Sequence, residues 1–254
     1  MKRNAQSLSI CVPGKKCINQ CKFCVSCMHT DTYKNQMDEN LPFYDLYFED
    51  YVKRMIYAKE NDANTMMITG DIEPLQNRHF LQTLGIINQY VMPQKGCAGF
   101  NWIEIQTSCV GFDRNYARFL RNTVGVSVLS LSLSSFDDDQ NAEIVQMPQN
   151  MKVNIKEVCS IAKEYDFTLR LSLNMSNAIP DSTKNKRNTN FYSQDTRMMS
   201  GIFNMAKELN ADQVTFRKFY SNGDNEQSKW IRANAVDDKV FEAINGYVKE
   251  RQVR

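Results

Sequence analysis

Six short β-rich apolar segments alternate with segments of helical periodicity along this chain of 254 residues. The β-rich segments are residues 8–12, 65–69, 102–106, 126–133, 167–173 and 213–216. Between and after them, apolar residues recur at intervals of three and four, which is typical of helices that bury one face. This alternation predicts an α/β fold with a parallel sheet covered by helices. Six such units form either an open doubly wound sheet or an incomplete barrel, and both bind ligands at the carboxyl ends of their strands.

Composition and charge exclude several other classes of protein. No apolar run approaches the ~18 residues that a membrane-spanning helix requires. The apolar stretch after the basic N-terminus is too short for the core of a secretory signal peptide, so we expect a cytoplasmic protein with reduced cysteines. Lys and Arg number 31 against 29 Asp and Glu, a balance that does not favour nucleic-acid binding. No linker or repeat divides the sequence, and we therefore expect a single domain over residues 1–254.

Two long polar segments interrupt the alternation of strands and helices. Residues 13–41 follow the first predicted strand and hold four of the eight cysteines, which indicates a functional loop. Residues 175–194 follow the fifth predicted strand and carry Lys184, Lys186 and Arg187. This second segment is either a solvated excursion or a lid that clamps an anionic substrate.

The cysteines of the first segment have the spacing C-x3-C-x2-C, formed by Cys17, Cys21 and Cys24. Three thiolates on a short loop can hold three irons of a [4Fe-4S] cluster and leave the fourth iron open to another ligand. Two alternatives use Cys27. A ferredoxin would continue C-x2-C-x2-C with a further cysteine followed by proline, which the sequence lacks, whereas a zinc site would add Cys27 or His29 without the usual second knuckle.

This motif, placed after the first predicted strand, resembles that of the radical S-adenosylmethionine (radical SAM) superfamily. The resemblance implies a partial (β/α)6 TIM-like barrel with its [4Fe-4S] cluster loop after the first strand, and S-adenosylmethionine (SAM) as the second cofactor. It assigns Cys17, Cys21 and Cys24 as the iron ligands and leaves Cys27 as a bystander. Phe23 matches the aromatic residue that members of the superfamily commonly place beside the adenine of SAM.

Residues 69–75, TGDIEPL, resemble the superfamily segment T-G-G-E-P-L, whose backbone meets the amino group of SAM. The resemblance implies that Gly70, Asp71 and Glu73 contribute to this cofactor site. The chain departs from the pattern, because Asp71-Ile72 replaces one glycine and adds a residue before Glu73.

Polar residues near the ends of later strands extend the predicted cofactor site. Alternation along a strand places Ser130, Ser132 and Ser134 on one face. The resemblance implies that Ser132 or Ser134 contacts the carboxylate or ribose of SAM and that Asn174 meets the ribose. Arg217 is predicted either to reach a carboxylate or substrate or to be a surface charge at a strand end.

Two further residues are candidates for a role in catalysis. Glu104 lies in the third predicted strand, where a carboxylate is costly to bury unless it is paired. It is therefore predicted to bind substrate or to pair with Arg170. Cys109 is either a hydrogen-atom donor, as cysteines are in radical SAM epimerases, or a small buried residue.

The resemblance implies an enzyme that takes one electron from an external donor of the flavodoxin or ferredoxin type. The electron cleaves SAM to methionine and a 5′-deoxyadenosyl radical, which abstracts hydrogen from a substrate. Residues 134–141, SSFDDDQN, are similar to the S-F-D-x-x-x-N segment of viperin-type nucleotide-modifying enzymes, and residues 28–32 to a segment of glycyl-radical activases. No cysteine-rich extension follows, which favours a small or nucleotide-like substrate. Modification of a peptide or protein, a glycyl-radical activase and a zinc-stabilised binding module remain alternatives.

Overall fold

The computed structural model describes residues 6–14, 16–28, 47–183 and 194–251. Six strands form one sheet in which every pair is parallel and each strand neighbours the next along the chain. They are β1 (Ser7–Val12), β2 (Thr65–Gly70), β3 (Trp102–Thr107), β4 (Val128–Leu133), β5 (Thr168–Asn174) and β6 (Gln213–Arg217).

Helices follow the strands, and several begin at a side chain that caps the first turn. The side chains of Asn77, Asp113, Asp137, Asn154 and Asn225 each accept a hydrogen bond from the N–H group three residues later. The helices are α1 (Phe48–Glu60), α2 (Arg78–Ile86), α3 (Arg114–Phe119), α4 (Asp138–Val145), α5 (Ile155–Glu164), α6 (Ala178–Asp181), α7 (Gln194–Glu208), α8 (Glu226–Asn234) and α9 (Asp238–Arg251).

Short helical turns complete this description. π-helical turns extend α2 over Ile87–Val91 and α3 over Leu120–Val124, and a last turn of α2 covers Met92–Gln94. 3-10 turns lie at Ser26–Met28, Pro74–Gln76 and Gln149–Met151. Among the described helices, none combines the length and apolar character needed to cross a lipid bilayer.

The strand order excludes one of the two architectures that the sequence left open, the doubly wound sheet. A doubly wound sheet reverses its strand order at a switch point and carries helices on both faces. Here the order runs from β1 to β6 without reversal. Because parallel crossovers are right-handed, successive crossovers in one direction place their helices on the same face. The sheet is therefore singly wound, with an outer face under the helices and an inner face turned away from them.

The two faces differ sharply in composition, as the paired registers show. The outward residues of the four central strands are aliphatic and fully buried: Met66, Ile68, Ile103, Ile105, Leu129, Leu131, Leu133, Leu169, Leu171 and Leu173. The inward residues at the same levels are mostly polar, among them Thr69, Glu104, Gln106, Ser130, Ser132, Arg170, Ser172, Asn174 and Arg217. The hydrophobic core thus lies between the outer face and the helices.

Two predicted segments differ from the structure. β4 begins at Val128 and not at residue 126, because the N–H of Val126 closes the end of the preceding helix on the carbonyl of Leu120 at 2.9 Å. Residues 175–183 are not a free lid, since Met175 and Ile179 are fully buried and α6 forms there. Residues 184–193 of that predicted loop, with its three basic residues, lie outside the described residues, and Gln194 begins α7.

Candidate functional site

The three cysteines of the C-x3-C-x2-C motif lie close enough to influence one another electrostatically. Burial raises the pKa of the Cys21 thiol, and the neighbouring Cys24 and Cys17 raise it further. Burial also raises the pKa of Cys17, to which Cys24 adds. Three thiols thus share one half-buried environment at the carboxyl edge of the sheet.

The turn after β2 holds the beginning of the cysteine loop. The N–H of Glu73 donates a hydrogen bond to Sγ of Cys17 at 3.1 Å. Gln76 Oε1 accepts from the N–H of Ile18 at 2.7 Å, and Asn77 Nδ2 donates to the carbonyl of Pro13 at 2.9 Å. Segment 69–75 and the residues just after it therefore determine the position of the first part of the loop.

The carboxylate of Glu73 is buried and joins this turn to the end of β3. Oε2 accepts hydrogen bonds from the N–H of Ser108 at 2.8 Å and from its hydroxyl at 2.5 Å, while Oε1 accepts from the Thr107 hydroxyl and from the N–H of Leu75. Burial raises the pKa of Glu73, and these hydrogen bonds oppose that increase. The side chain is thus a structural link whose oxygen atoms are already satisfied.

The same link continues into the cysteine loop through Asn19, whose role the sequence analysis missed. Nδ2 of this buried residue donates to the hydroxyl of Ser108 at 2.7 Å. The N–H groups of Gln20 and Lys22 donate to the carbonyls of Val145 and Ile144 at the end of α4, at 3.2 and 3.1 Å. The loop therefore lies across the carboxyl edge of the sheet from β1 to α4.

The residue that the chain adds to the segment 69–75 packs against two glycines. A Cβ atom at Gly14 would lie 2.1 Å from Cδ1 of Ile72, and one at Gly70 would lie 2.6 Å from the carbonyl oxygen of Ile72. Ile72 is buried in the hydrophobic core, whereas Asp71 accepts a hydrogen bond from the Ser26 hydroxyl at 3.1 Å. The insertion is thus absorbed locally, and Asp71 faces the cysteine loop.

Phe23, predicted to lie beside an adenine, belongs to a cluster of three aromatic rings. Its ring centroid lies 4.8 Å from that of Phe219 and 5.9 Å from that of Trp230, and these two are 5.8 Å apart. Phe219 follows β6 and Trp230 lies in α8, so this cluster joins the loop after β1 to the chain after β6. The sequence analysis named neither partner, because no local pattern connects residues so far apart.

The polar residues at the ends of β4 and β5 contact one another, which the sequence analysis did not predict. Nδ2 of Asn174 donates to the hydroxyls of Ser132 and Ser134 at 3.1 and 3.2 Å. The N–H of Ser134 donates to Oδ1 of Asn141 at 2.8 Å, and Asp137 caps α4. Helix capping thus accounts for much of the segment 134–141, whose roles as binding residues stay predictions.

A second polar network lies on the inner face, towards the middle of the strands. Glu104 is buried and pairs with the Arg170 guanidinium, which realises one of its two predicted roles. Nε2 of Gln106 donates to Glu104 at 3.1 Å, and Nη2 of Arg217 donates to Gln106 at 2.7 Å. Four inward residues of β3, β5 and β6 therefore form one connected set.

Two cysteines outside the motif, Cys109 and Cys27, differ in their exposure. Cys109 is buried in the hydrophobic core, and its pKa is raised by burial and by the nearby Glu73 and Cys159. This placement favours packing, and hydrogen-atom donation by Cys109 stays a prediction. Cys27 is exposed in the 3-10 turn after the motif, and His29 lies outside the described residues.

The arrangement of donors bears on which metal group could be bound. Within the described ranges, no three or more His, Cys, Asp or Glu side chains are grouped so as to hold a metal ion. A single zinc ion requires its sulfur ligands to converge on one point at ~2.3 Å. A four-iron cluster carries each cysteine on a separate iron, so its ligands need not converge on one point, and three thiols in one environment suit its chemistry.

Comparisons with known proteins reveal similarity in fold. Neither a protein-family model nor a curated protein matches the sequence. SuiB from Streptococcus suis superposes with a TM-score of 0.55 at 12% identity, covering 97% of this chain and 47% of SuiB. TsrM from Kitasatospora setae, a radical SAM methyltransferase with bound cobalamin and [4Fe-4S] cluster, gives 0.48 at 9% identity over 72% of this chain and 33% of TsrM.

The chain thus spans about half the length of SuiB, and their likeness is one of fold. The lower score for TsrM carries no argument by itself.

Proposed function

We propose that the protein is a radical SAM enzyme. It holds a [4Fe-4S] cluster on Cys17, Cys21 and Cys24, cleaves SAM reductively and abstracts hydrogen from a small or nucleotide-like substrate. One observation carries the proposal: the three thiols share one environment, and the first of them accepts an N–H from the segment that resembles the superfamily's SAM-binding turn.

We also infer that the sheet curves into a partial barrel around its inner face. Gln106 of β3 lies level with Gln213 of β6, three strand spacings away, which is about 14 Å in a flat sheet. Arg217 lies four residues beyond Gln213, which adds ~13 Å along the strand. Its 2.7 Å hydrogen bond to Gln106 supports a sheet that is bent inward. The contact between Phe23 and Phe219 supports the same curvature, because they follow the two edge strands.

The chain's own residues would hold the two cofactors at the carboxyl edge. When bound and reduced, the cluster supplies the electron that splits SAM into methionine and a 5′-deoxyadenosyl radical. The backbone around Gly70 and Asp71 offers polar groups to the amino group of SAM, and Phe23 offers an aromatic face to the adenine. Asn174, Ser132 and Ser134 offer hydrogen bonds to the ribose or carboxylate.

The remaining groups position these contacts. Glu73 connects the first cysteine to the end of β3, because its N–H donates to Cys17 and its carboxylate accepts from Ser108. Below them, the buried carboxylate of Glu104 pairs with the partly exposed guanidinium of Arg170 and keeps the polar side chains of the inner face in place. The electron comes from an external donor of the flavodoxin or ferredoxin type.

The test is anaerobic purification and reconstitution, followed by addition of dithionite and SAM. We expect a brown protein with ~4 irons per chain that forms 5′-deoxyadenosine, measured by mass spectrometry. A reaction without dithionite controls for reductive cleavage, and a reaction without protein controls for breakdown of SAM.

Two outcomes would contradict the proposal in different ways. A colourless protein that carries zinc and forms no 5′-deoxyadenosine would favour the zinc-stabilised binding module. A brown protein that ignores SAM would indicate an electron carrier. If 5′-deoxyadenosine formation increases only when a peptide or a glycyl-radical enzyme is added, the radical SAM reaction is correct and the proposed small or nucleotide-like substrate is wrong.

A further inference from the structure

Arg217 is a half-buried cation without a carboxylate partner among the described residues. Of the five N–H groups of its guanidinium, one donates to a described acceptor, Oε1 of Gln106. Burial lowers the pKa of Arg217, yet an arginine in a protein stays protonated. A desolvated guanidinium with most of its donors unused is costly unless an anion completes its hydrogen bonds.

The neighbouring charges on the inner face do not neutralise Arg217. Glu104 is the nearest described carboxylate on this face, and it already pairs with Arg170. Arg170 also donates from Nε and Nη2 to Gln213 at 2.8 and 2.6 Å, which holds its guanidinium in place. Two arginines therefore share one carboxylate, and the network has one positive charge in excess.

Two hydroxyl groups on the same face also lack hydrogen-bond partners. The Oγ atoms of Ser130 and Ser172 are buried and have none in the described structure. In the register, Ser130 is level with Arg170, and Ser172 follows Arg170 by two residues along β5. Buried hydroxyls rarely stay without a partner. Together with Arg217, they mark a region of the interior whose hydrogen-bonding capacity is unused.

This region lies farther from the carboxyl edge of the sheet than the proposed cofactor site does. Gln106, which accepts the hydrogen bond from Arg217, lies two residues before Ser108 along the chain. Ser108 contacts Glu73 and Asn19 at the level of the cysteine loop. Two residues of a strand correspond to about 6.6 Å, so the acceptor of Arg217 lies that far below the loop.

We propose that Arg217 binds an anionic group of the substrate, a carboxylate or a phosphate, beneath the cofactor site. This inference rests on the proposed function, which supplies the existence of a substrate, and adds the chemical class of that substrate. The guanidinium leaves Gln106 or shares it with the anion, and the hydroxyls of Ser130 and Ser172 supply further hydrogen bonds. SAM itself carries a carboxylate, so the experiment must distinguish substrate from cofactor.

The experiment measures anion binding and SAM binding separately on the full chain. Inorganic phosphate and acetate are titrated into the protein and followed by NMR, and SAM is titrated into the reconstituted protein by calorimetry. For Arg217→Gln we expect a loss of phosphate or acetate affinity of about tenfold or more, because charge-assisted hydrogen bonds disappear. SAM affinity should change less than about twofold.

Lys218→Ala is the matched control. Lys218 is the residue after Arg217, and its exposed ammonium pairs with Asp238 at 2.5 Å. This variant should leave anion binding unchanged. Arg217→Lys keeps the charge but loses the planar fork and should bind phosphate more weakly than wild type and more tightly than Arg217→Gln. Thermal unfolding of each variant verifies that it folds. If Arg217→Gln does not fold, the anion affinity of Arg217→Lys decides the outcome.

The results separate this proposal from the proposed function. Loss of SAM affinity in Arg217→Gln would assign Arg217 to the cofactor and overturn the substrate site, as would unchanged anion binding or wild-type protein that binds neither anion. Phosphate binding through Arg217 in a protein that never cleaves SAM would instead overturn the enzyme class and leave an anion site.

Discussion

The two faces of the sheet are built from the same strands but differ in the polarity of their side chains. On the outer face, aliphatic residues such as Leu131 and Leu171 are fully buried under the helices. On the inner face, the residues between them are serine, arginine, asparagine and glutamate, and some of their polar atoms lack partners. Burial of apolar surface stabilises a fold, whereas unpaired buried polar groups destabilise it. The outer face therefore stabilises the fold, and the inner face is the one on which we propose that ligands bind.

The largest expected effect separates cysteines of the cluster loop from a cysteine under the outer face. We expect Cys17→Ala, Cys21→Ala and Cys24→Ala each to abolish SAM cleavage while circular dichroism shows a folded protein. Cys159→Ala, in the buried core of α5, should lower the melting temperature and retain cleavage. Activity in any of the first three variants would break the comparison.

The fourth cysteine of the loop tests the ligand assignment itself. Cys27 is exposed, and Cys27→Ala should keep its iron and its SAM cleavage. Iron content and 5′-deoxyadenosine are measured beside wild type after the same reconstitution. Loss of iron would mean that Cys27 is a ligand and that the C-x3-C-x2-C assignment is wrong.

Adjacent residues of β4 allow the two faces to be compared directly. Leu131→Ala removes a fully buried side chain and should lower the free energy of unfolding by about 2–5 kcal/mol. Ser130→Ala removes a hydroxyl that has no partner, so it should change the free energy of unfolding by less than ~1 kcal/mol, in either direction. Urea unfolding measures both, and equal losses would contradict the division between faces.

The link between the β2 turn and β3 should have an intermediate effect. In Glu73→Gln the amide nitrogen cannot accept the N–H of Ser108, and a buried donor without an acceptor costs about 1–3 kcal/mol. The matched change Glu143→Gln removes only an exposed ion pair with Lys22 and should cost less than ~1 kcal/mol. Urea unfolding of the protein before reconstitution measures both, and a neutral Glu73→Gln would show that the carboxylate does not stabilise the loop.

A change at Glu104, on the inner face, should affect turnover of substrate more than cleavage of SAM. Glu104→Gln weakens the pair with Arg170, and we expect turnover of substrate to fall by more than the uncoupled cleavage of SAM. The measurement is the ratio of modified substrate to 5′-deoxyadenosine. Parallel losses in both quantities would indicate a structural role for Glu104.

A modest loss of SAM affinity is expected at the aromatic cluster. Phe23→Ala removes one face offered to the adenine and should weaken SAM binding by roughly two- to tenfold, given ~0.5–1.5 kcal/mol for an aromatic contact. Phe203→Ala, whose ring stacks on Tyr247 at 5.1 Å, is a control for the loss of a large ring elsewhere. Calorimetry with SAM measures both, and equal weakening would remove Phe23 from the cofactor site.

Local sequence patterns were sufficient for some features of the site and not for others. The pairing of Glu104 with Arg170, one of its two predicted roles, followed from the cost of a buried carboxylate, and the shared face of Ser130, Ser132 and Ser134 followed from alternation. The partners of Glu73 could not be predicted, because Thr107 and Ser108 follow it by 34 and 35 residues. The start of β4 was misplaced because a helix cap uses Val126 before the strand begins.

The sequence by itself determined the alternation of strands and helices and the cysteine motif, because both are short-range patterns of residue type. Tertiary structure alone decided that the strands follow one another without reversal, since the direction of each crossover depends on packing across the whole sheet. It also decided that Arg217 reaches Gln106 and that Phe23 meets Phe219. These contacts depend on the register and twist of the sheet, which arise only when the strands are paired.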